Sequence, residues 1–180
     1  MKNILITGAN GQLGNEMRVL SAEHPEYTYF FTDVAELDIC DEQAVLDFVK
    51  TNDIHVIVNC AAYTAVDMAQ KDSLNAKKIN VDGPKNLAKT GAKIIHISTD
   101  YVFDGCGHLP YTPDMQTNPL SVYGKTKRAS EIAVLENAKM AIIIRTAWLY
   151  SPYGNNFVKT MLSLSETRKE LKDKKNENLK

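Results

Sequence analysis

The sequence is poor in cysteine and lacks a long apolar run. Among its 180 residues there are three cysteines, Cys40, Cys60 and Cys106, and no CxxC pair. Neither a disulfide framework nor a cysteine-based zinc site is therefore indicated. The longest uninterrupted apolar run is Met140–Ile144, whereas a membrane helix needs about 20 such residues. We therefore expect no membrane partner.

An excess of charge of one sign is also missing. The 21 Lys and Arg residues are matched by 22 Asp and Glu residues, which gives a formal net charge of −1. Because proteins that coat nucleic acid are strongly basic, nucleic acid is not expected as a partner. Only Ile4–Ile6 is apolar before Gly8, so no signal segment is indicated and we expect a cytoplasmic protein. The length fits one globular domain of roughly 100–200 residues.

Short β-rich runs alternate with longer helical stretches along the chain. The strand candidates are Ile4–Thr7, Tyr27–Thr32, His55–Asn59, Lys93–Ser98 and Ala141–Thr146. The helix candidates are Gln12–Ala22, Asp41–Thr51, Asp72–Thr90 and Leu120–Asn137. This alternation predicts an α/β fold with a doubly wound parallel sheet and helices on both faces. The last segment, Glu166–Lys180, is highly charged and is expected to be a frayed or disordered tail.

Three glycines follow the first predicted strand and open the first predicted helix, in Gly8-Ala9-Asn10-Gly11-Gln12-Leu13-Gly14. Glycines in such a turn let the backbone approach a pyrophosphate, and the helix N-terminus offers it unpaired N–H groups. The spacing is GxxGxxG, which differs from the GxGxxG pattern. A purely structural turn is the alternative, because glycines often only punctuate turns. The position between strand and helix favours a dinucleotide site.

Acidic and small residues follow the next two strands. The carboxylate of Asp33 can accept the ribose hydroxyls of adenosine and would repel a 2′-phosphate. A carboxylate that only caps the turn is the alternative for Asp33. The third strand ends in Asn59-Cys60-Ala61-Ala62-Tyr63, where small side chains let a ligand lie against the backbone. A nicotinamide cofactor is therefore expected across these strand ends, with NADH accepted at least as well as NADPH.

Tyr123 and Lys127 are four residues apart, on one face of a predicted helix. A phenol has an unperturbed pKa near 10, and a neighbouring ammonium lowers that pKa. The pair can then exchange a proton with a carbonyl or alcohol oxygen. Thr99, at the end of the fourth strand, can bind the same oxygen. Most such pairs on exposed helices have no function, so the hypothesis depends on their combination with the glycine turn and Thr99.

Seven segments within residues 1–165 resemble the dTDP-4-dehydrorhamnose reductase family, which belongs to the extended short-chain dehydrogenase/reductases. They are ITGANGQLG, VIVNCAAYTAVD, INVDGP, HISTDYVFDG, NPLSVYGKTK, IIRTAWLY and GNNFVKTM. The combination of STDYVFDG with YGKTK is specific within that superfamily. The resemblance implies an NAD(P)-binding Rossmann fold and NADH or NADPH as the hydride donor. It also implies a dTDP-4-keto-6-deoxysugar substrate, dTDP-4-dehydro-L-rhamnose, which would be reduced to dTDP-L-rhamnose.

The resemblance further implies roles for individual residues. Tyr123 matches the proton donor, Lys127 the group that holds the nicotinamide ribose and tunes Tyr123, and Thr99 the supporting hydroxyl. Positions that match sugar-contacting residues are Thr99, Asp100, Tyr101 and Trp148. Positions that match cofactor-contacting residues are Gly8, Asn10, Gly11, Gln12, Leu13, Asp33, Asp38, Ile39, Ala61, Ala62 and Tyr63, together with Tyr123 and Lys127.

The chain departs from this family in two places. Met68-Ala69-Gln70-Lys71 stands where relatives carry a more acidic stretch. After FVKTM, relatives continue into further strands and helices of a substrate lobe, whereas this chain becomes rich in lysine. We therefore expect a dinucleotide-binding domain over residues 1–165 that contains part of the substrate site, with weak reductase activity or none. Glu16 matches a glutamate of metal-bridged dimers, but without its partner glutamates we expect no metal; a homodimer stays open.

Two other functions also stay open. A sugar-nucleotide epimerase or dehydratase of the same superfamily would recycle its bound nicotinamide, and net consumption of NAD(P)H separates a reductase from it. A non-catalytic regulatory subunit, resembling that of methionine adenosyltransferase, would keep the glycine turn without acid catalysis. The Tyr123–Lys127 pair favours an enzyme over the regulatory subunit.

Overall fold

The computed structural model describes residues 1–168. In chain order, the elements are β1 (Lys2–Thr7), α1 (Gln12–Ser21), β2 (Tyr27–Thr32), α2 (Glu42–Thr51), β3 (Ile54–Asn59), α3 (Val66–Lys71), α4 (Ser73–Lys77), a π-helical turn (Lys78–Asp82), α5 (Gly83–Lys89), β4 (Lys93–Thr99), a 3₁₀ turn (Asp100–Val102), α6 (Val122–Asn137), β5 (Ala141–Thr146) and α7 (Phe157–Thr167). The predicted tail begins inside α7, because Glu166 and Thr167 are helical. Its residues 169–180 lie outside the described residues.

The five strands form one parallel sheet in the order β2-β1-β3-β4-β5. The chain steps from β1 to β2 in one direction and from β2 to β3 in the other. Because crossovers between parallel strands are right-handed, this reversal places α1 and α2 on opposite faces of the sheet. The later crossovers continue in the second direction, so α5 and α6 share the face of α2, and α5 contacts both. The predicted doubly wound parallel sheet is confirmed.

The main apolar core lies between the sheet and the helices α2, α5 and α6. Its buried members are Leu5, Leu37, Ile39, Val45, Val49, Ile54, Ile57, Leu87, Ala88, Ala92, Ile94 and Val134. On β5, Ala141 and Ile143 pack against this core. Side chains alternate along a strand, so Ile142 and Ile144 lie on the opposite face, where they are 55% and 44% exposed. The sheet is therefore well covered on one face and open at β5 on the other.

The predicted helix Asp72–Thr90 is helical over nearly its whole length but is not uniform, because α4, the π-helical turn and α5 follow one another without a break. Pro84 lies at the start of α5. Proline has no N–H, so it cannot donate to the carbonyl of Asn80, four residues earlier, and a regular helix is interrupted there. The π-helical turn buries Asn80. The helices α3 and α7 have no counterpart among the predicted helices.

Within residues 1–168, every helix is too short or too polar to span a membrane.

Candidate active site

A cleft of about 820 Å³ lies at the carboxyl ends of the strands. It spans the point between β1 and β3 where the direction of the crossovers reverses, and doubly wound sheets bind ligands at this point. The cleft brings together most of the residues that the sequence predicted. These are Gly8, Gly11, Gln12, Leu13, Asp33, Asp38, Ile39, Ala61, Ala62, Thr99, Asp100, Tyr101, Tyr123, Lys127 and Trp148.

Two predicted cofactor contacts, Asn10 and Tyr63, do not line this cleft. The backbone N–H of Asn10 donates to Oδ2 of Asp33 at 3.0 Å. The backbone N–H and carbonyl of Tyr63 are both bound by the Asn80 side chain, at 2.8 and 3.1 Å. Both residues therefore fix the conformation of loops whose neighbours form the cleft wall.

The three glycines of the β1–α1 turn meet different requirements. Gly8 has a φ of 65°, and a Cβ there would lie 2.6 Å from the backbone nitrogen of Ala61. A Cβ on Gly14 would overlap with the carbonyl oxygen of Gly8. Gly11 has an ordinary φ of −75°, and a Cβ there would meet only the Gly8 carbonyl oxygen, at 3.3 Å. The fold therefore requires glycine at positions 8 and 14. At position 11 the requirement for glycine is much weaker.

The N-terminus of α1 fits a pyrophosphate. Its N-cap residue is Gly11, so no side chain binds the free N–H groups of the first turn. Gln12 and Leu13, the first two helical residues, line the cleft. Unpaired N–H groups and the positive end of the helix dipole at a cleft wall favour an anionic ligand. The β1–α1 turn and this helix N-terminus, which we call the glycine cradle, thus match the diphosphate of a dinucleotide.

Asp33 follows β2 and uses both carboxylate oxygens on backbone N–H groups. Oδ2 accepts from Asn10 at 3.0 Å and Oδ1 accepts from Val34 at 2.9 Å. The alternative of a turn-capping aspartate therefore describes the structure correctly. A carboxylate has about four acceptor positions, so Asp33, which lines the cleft, keeps acceptor capacity for ribose hydroxyls as well.

The first turn of α6 is attached closely to the loop after β4. The Ser121 hydroxyl caps α6 by accepting from the Gly124 N–H at 3.0 Å. A Cβ on Gly124 would overlap with the Tyr101 carbonyl oxygen. This approach places the rings of Tyr101 and Tyr123 edge to face, with centroids 5.6 Å apart. Tyr123 is thereby held at the cleft beside the end of β4.

Burial controls the protonation of the Tyr123–Lys127 pair. It raises the pKa of Tyr123, and a hydrogen bond with the Thr99 side chain acts in the opposite direction. Burial also lowers the pKa of Lys127 to about 8. Lys127 is 1% exposed, and its Nζ donates to the Ile97 carbonyl oxygen at 2.6 Å. The expectation that Lys127 lowers the pKa of Tyr123 is therefore not met in this arrangement, because the ammonium turns toward the β4 backbone.

A buried polar network beneath the cleft was not predicted. The Thr7 hydroxyl donates to Oδ1 of Asn59 at 2.7 Å, and the Asn59 amide bonds His96 at 3.0 Å. The ring of His96 also bonds the Ser130 hydroxyl at 2.6 Å. Oδ1 of Asn59 accepts from the N–H of Ala61 as well, at 3.1 Å. The network thus joins β1, β3, β4 and α6 and fixes the loop that follows β3.

A second set of unpredicted residues follows β5. In this segment Trp148 has a φ of 54° and is 66% exposed. The amide of Asn156 donates to Gln12 at 3.1 Å, and the Ser151 hydroxyl donates to Glu16 at 2.7 Å. Cleft-lining residues that the sequence did not single out are Thr146 at the end of β5 and, after it, Ala147, Leu149, Gly154 and Asn155. Their position after a parallel strand is the signal that could have identified them.

The rest of the cleft wall contains further residues that the sequence did not single out. They are Val34, Leu37, Cys40, Thr64, Val66, Ile79 and Ile97. Within residues 1–168, no group of three or more His, Cys, Asp or Glu side chains is placed to hold a metal ion.

Comparisons with known proteins identify the family. The model of the RmlD substrate binding domain matches residues 1–175. The dTDP-4-dehydrorhamnose reductase of Aggregatibacter actinomycetemcomitans is 41% identical, and the match covers 93% of this chain and 58% of that protein. The crystal structure of the reductase from Clostridium acetobutylicum is 48% identical with a TM-score of 0.89, over 94% of this chain and 61% of that one.

A third relative was solved with a cofactor. The Bacillus anthracis dTDP-4-dehydrorhamnose reductase in complex with NADP is 42% identical with a TM-score of 0.89, over 95% of this chain and 62% of that one. The chain therefore spans about three fifths of the length of the relatives it matches. Because the family model covers nearly the whole chain and the fold agrees, the chain belongs to the family of the RmlD substrate binding domain.

Proposed function

We propose that the protein takes part in the NAD(P)H-dependent reduction of dTDP-4-dehydro-L-rhamnose to dTDP-L-rhamnose. The observation that carries this proposal is that one cleft contains both the glycine cradle and the group Thr99, Tyr123 and Lys127. The residues proposed to bind the cofactor and those proposed to transfer the proton therefore line the same space. Related proteins that cover this chain are named for this reductase activity.

The cofactor-binding residues in this proposal follow the cleft wall. The uncapped first turn of α1 takes the pyrophosphate, and Asp33 takes the adenosine ribose. When bound, the nicotinamide supplies the hydride that reduces the sugar ketone. The proposed contacts along this wall are Gly8, Gly11, Gln12, Leu13, Asp33, Asp38, Ile39, Ala61, Ala62, Tyr123 and Lys127, with Asn10 and Tyr63 supporting their neighbours.

The proton in this proposal comes from Tyr123. Because burial raises the pKa of Tyr123, its phenol stays protonated at neutral pH and is available as a donor. Its proton goes to the oxygen of the sugar ketone as the carbon receives the hydride. Thr99 binds the same oxygen and orients it. Lys127 lines the same cleft, and its ammonium, which uses one donor on Ile97, has two further donors for the nicotinamide ribose.

The substrate side of the cleft is formed by Asp100, Tyr101 and Trp148. Tyr101 and Trp148 are 49% and 66% exposed, so this wall is open. We propose that residues 1–165 are a dinucleotide-binding domain that carries part of the substrate site. The three cysteines are free thiols, which fits the reducing cytoplasm. Association into a homodimer would cover the apolar surface of β5.

The proposal is tested with the purified 180-residue chain. NADH and NADPH binding is measured by fluorescence, and NAD(P)H oxidation is measured with dTDP-4-dehydro-L-rhamnose. A reductase consumes NAD(P)H in proportion to product, whereas an epimerase or dehydratase does not. Failure to bind either cofactor would contradict the proposal.

Tyr123→Phe is the matched variant for the chemical step. It removes the phenolic donor and keeps the ring against Tyr101, so cofactor binding is expected to be retained. The rate of sugar reduction is expected to fall by about 10²–10⁴-fold, as for a lost general acid. Turnover equal to that of the parent would remove Tyr123 from this role.

A further inference from the structure

The end of β4 is attached to α6 through consecutive residues. The carbonyl oxygen of Ile97 accepts from Nζ of Lys127 at 2.6 Å. The hydroxyl of Ser98 donates to Oε1 of Glu131 at 2.6 Å. Lys127 and Glu131 are four residues apart and both are 1% exposed, so they form one buried row on α6.

The same row continues to the reaction site. Thr99, the next residue of β4, lines the cleft together with Tyr123, and its side chain acts to lower the pKa of that phenol against the effect of burial. Tyr123, Lys127 and Glu131 are spaced at i, i+4 and i+8 along one face of α6. Glu131 therefore ends a row whose other two members face the cleft, although Glu131 itself does not line it.

Besides Ser98, two arginines bind the carboxylate of Glu131. Oε1 accepts from Nε of Arg145 at 2.8 Å, and Oε2 accepts from a second nitrogen of Arg145 at 2.8 Å. Arg128 adds a bond to Oε2 at 2.9 Å. These hydrogen bonds outweigh the effect of burial and lower the pKa of Glu131. The carboxylate is therefore charged at neutral pH and fixed in its position.

Glu131 also supplies a negative charge near the buried ammonium of Lys127. Burial raises the pKa of the Cys60 thiol, which follows β3, to about 12. Burial lowers the pKa of His96 on β4 well below its usual range. Both groups are neutral near pH 7, so neither offsets the ammonium. Glu131 raises the pKa of Lys127 against the opposite effect of burial.

We propose that Glu131 is a positioning residue that locks the end of β4 to α6 and balances the buried charge of Lys127. The inference rests on the proposed function, because that function assigns the roles of Lys127 and Tyr123. Two separable effects follow. Loss of the charge changes the protonation of Lys127, and loss of the hydrogen bond from Ser98 loosens the end of β4.

The charge is tested by NMR titration of Lys127 in protein with isotope-labelled lysine. Glu131→Gln keeps the size of the side chain and removes its charge, and Glu136→Gln is the control, because Glu136 is an exposed residue of α6. The pKa of Lys127 is expected to fall by about one unit in E131Q and to stay unchanged in E136Q. An unchanged pKa in folded E131Q would overturn the proposal.

The attachment is tested with Ser98→Ala, which leaves every charge in place. Amide hydrogen exchange over residues 97–99 is expected to become faster, while the pKa of Lys127 stays at the parent value. Unchanged exchange would overturn the locking role. If circular dichroism shows that E131Q is unfolded, the S98A experiment alone decides the proposal. Neither readout requires a cofactor or substrate. Failure of NADH binding in the parent would therefore contradict the proposed function alone.

Discussion

Lys127 combines deep burial with a charge that the proposed cofactor site needs. Its pKa is lowered to about 8 by burial, so the ammonium is present at pH 7 and is lost as the pH rises above 8. An ammonium that binds ribose hydroxyls contributes more than a neutral amine. NADH affinity is therefore expected to fall by roughly tenfold between pH 7 and 9.

Lys127→Met is the control for this pH dependence. It removes the titrating group and keeps an unbranched apolar side chain. The variant is expected to bind NADH weakly and equally at both pH values, as measured by fluorescence titration. A variant that retains the parent's pH dependence would assign the effect to another group.

Gly11 offers a probe of the pyrophosphate cradle that spares the fold. A Cβ there would meet only the Gly8 carbonyl oxygen, at 3.3 Å, and Gly11 lines the cleft as the N-cap residue of α1. Gly11→Val is expected to leave the melting temperature within a few degrees of the parent and to abolish detectable NADH binding. Gly14→Ala is the contrasting variant, because its Cβ overlaps with the Gly8 carbonyl and should destabilise the fold itself. If G11V bound NADH with the affinity of the parent, the assignment of the glycine cradle as the pyrophosphate site would be wrong.

At the level of elements, the sequence predicted the strands well, whereas in the third crossover it missed α3 and the π-helical turn. All five strand candidates are present, because apolar runs bounded by polar residues are typical of a buried parallel sheet. The interruption at Pro84 was visible in the sequence, but its outcome depends on the hydrogen bonds of Asn80 to Tyr63 and Thr126. Such long-range bonds leave no periodic pattern.

The helix α7 was missed although its start carries a local signal. Asn156 caps it by accepting from the N–H of Lys159 at 3.0 Å, and asparagine is a preferred N-cap residue. None of its residues is buried, so the apolar periodicity of a core helix gave little guidance. The site was predicted better than this helix, because its residues follow strand ends. Positions such as Glu131, which act through another side chain, follow no such rule.

Two helix caps allow the role of α6 to be separated from general stability. Ser121 caps α6 and Asp41 caps α2, each through one backbone N–H at 3.0 Å. Ser121→Ala and Asp41→Ala are each expected to lower the free energy of unfolding by about 1 kcal/mol. Only S121A should also weaken NADH binding, since its helix carries Tyr123 and Lys127. Equal effects of both variants on NADH binding would contradict a special role of the α6 N-terminus.

At the scale of the whole molecule, the two sides of the cleft differ in enclosure. The cofactor side is built from β1, β3 and α1, whereas Tyr101 and Trp148 leave the substrate side open. Binding energy from remote parts of a substrate positions its reacting centre. This open substrate side leads us to expect that the chain binds NADH but reduces the sugar nucleotide far more slowly than the dTDP-4-dehydrorhamnose reductases that it resembles. Steady-state assays of the chain and of one such reductase side by side check this, and equal turnover would contradict it.

The contact between Gly8 and Ala61 has a consequence for how the site is formed. The strand β1 is synthesised before its two partners β2 and β3, which lie about 25 and 50 positions further along the chain. The turn at Gly8 packs on the backbone of Ala61, so it has no fixed partner until β3 has joined the sheet. Pairing of distant segments is slow compared with local helix formation. The turn after β1 therefore takes its final conformation only after β3 has paired, and dinucleotide binding during refolding reports on closure of the sheet centre.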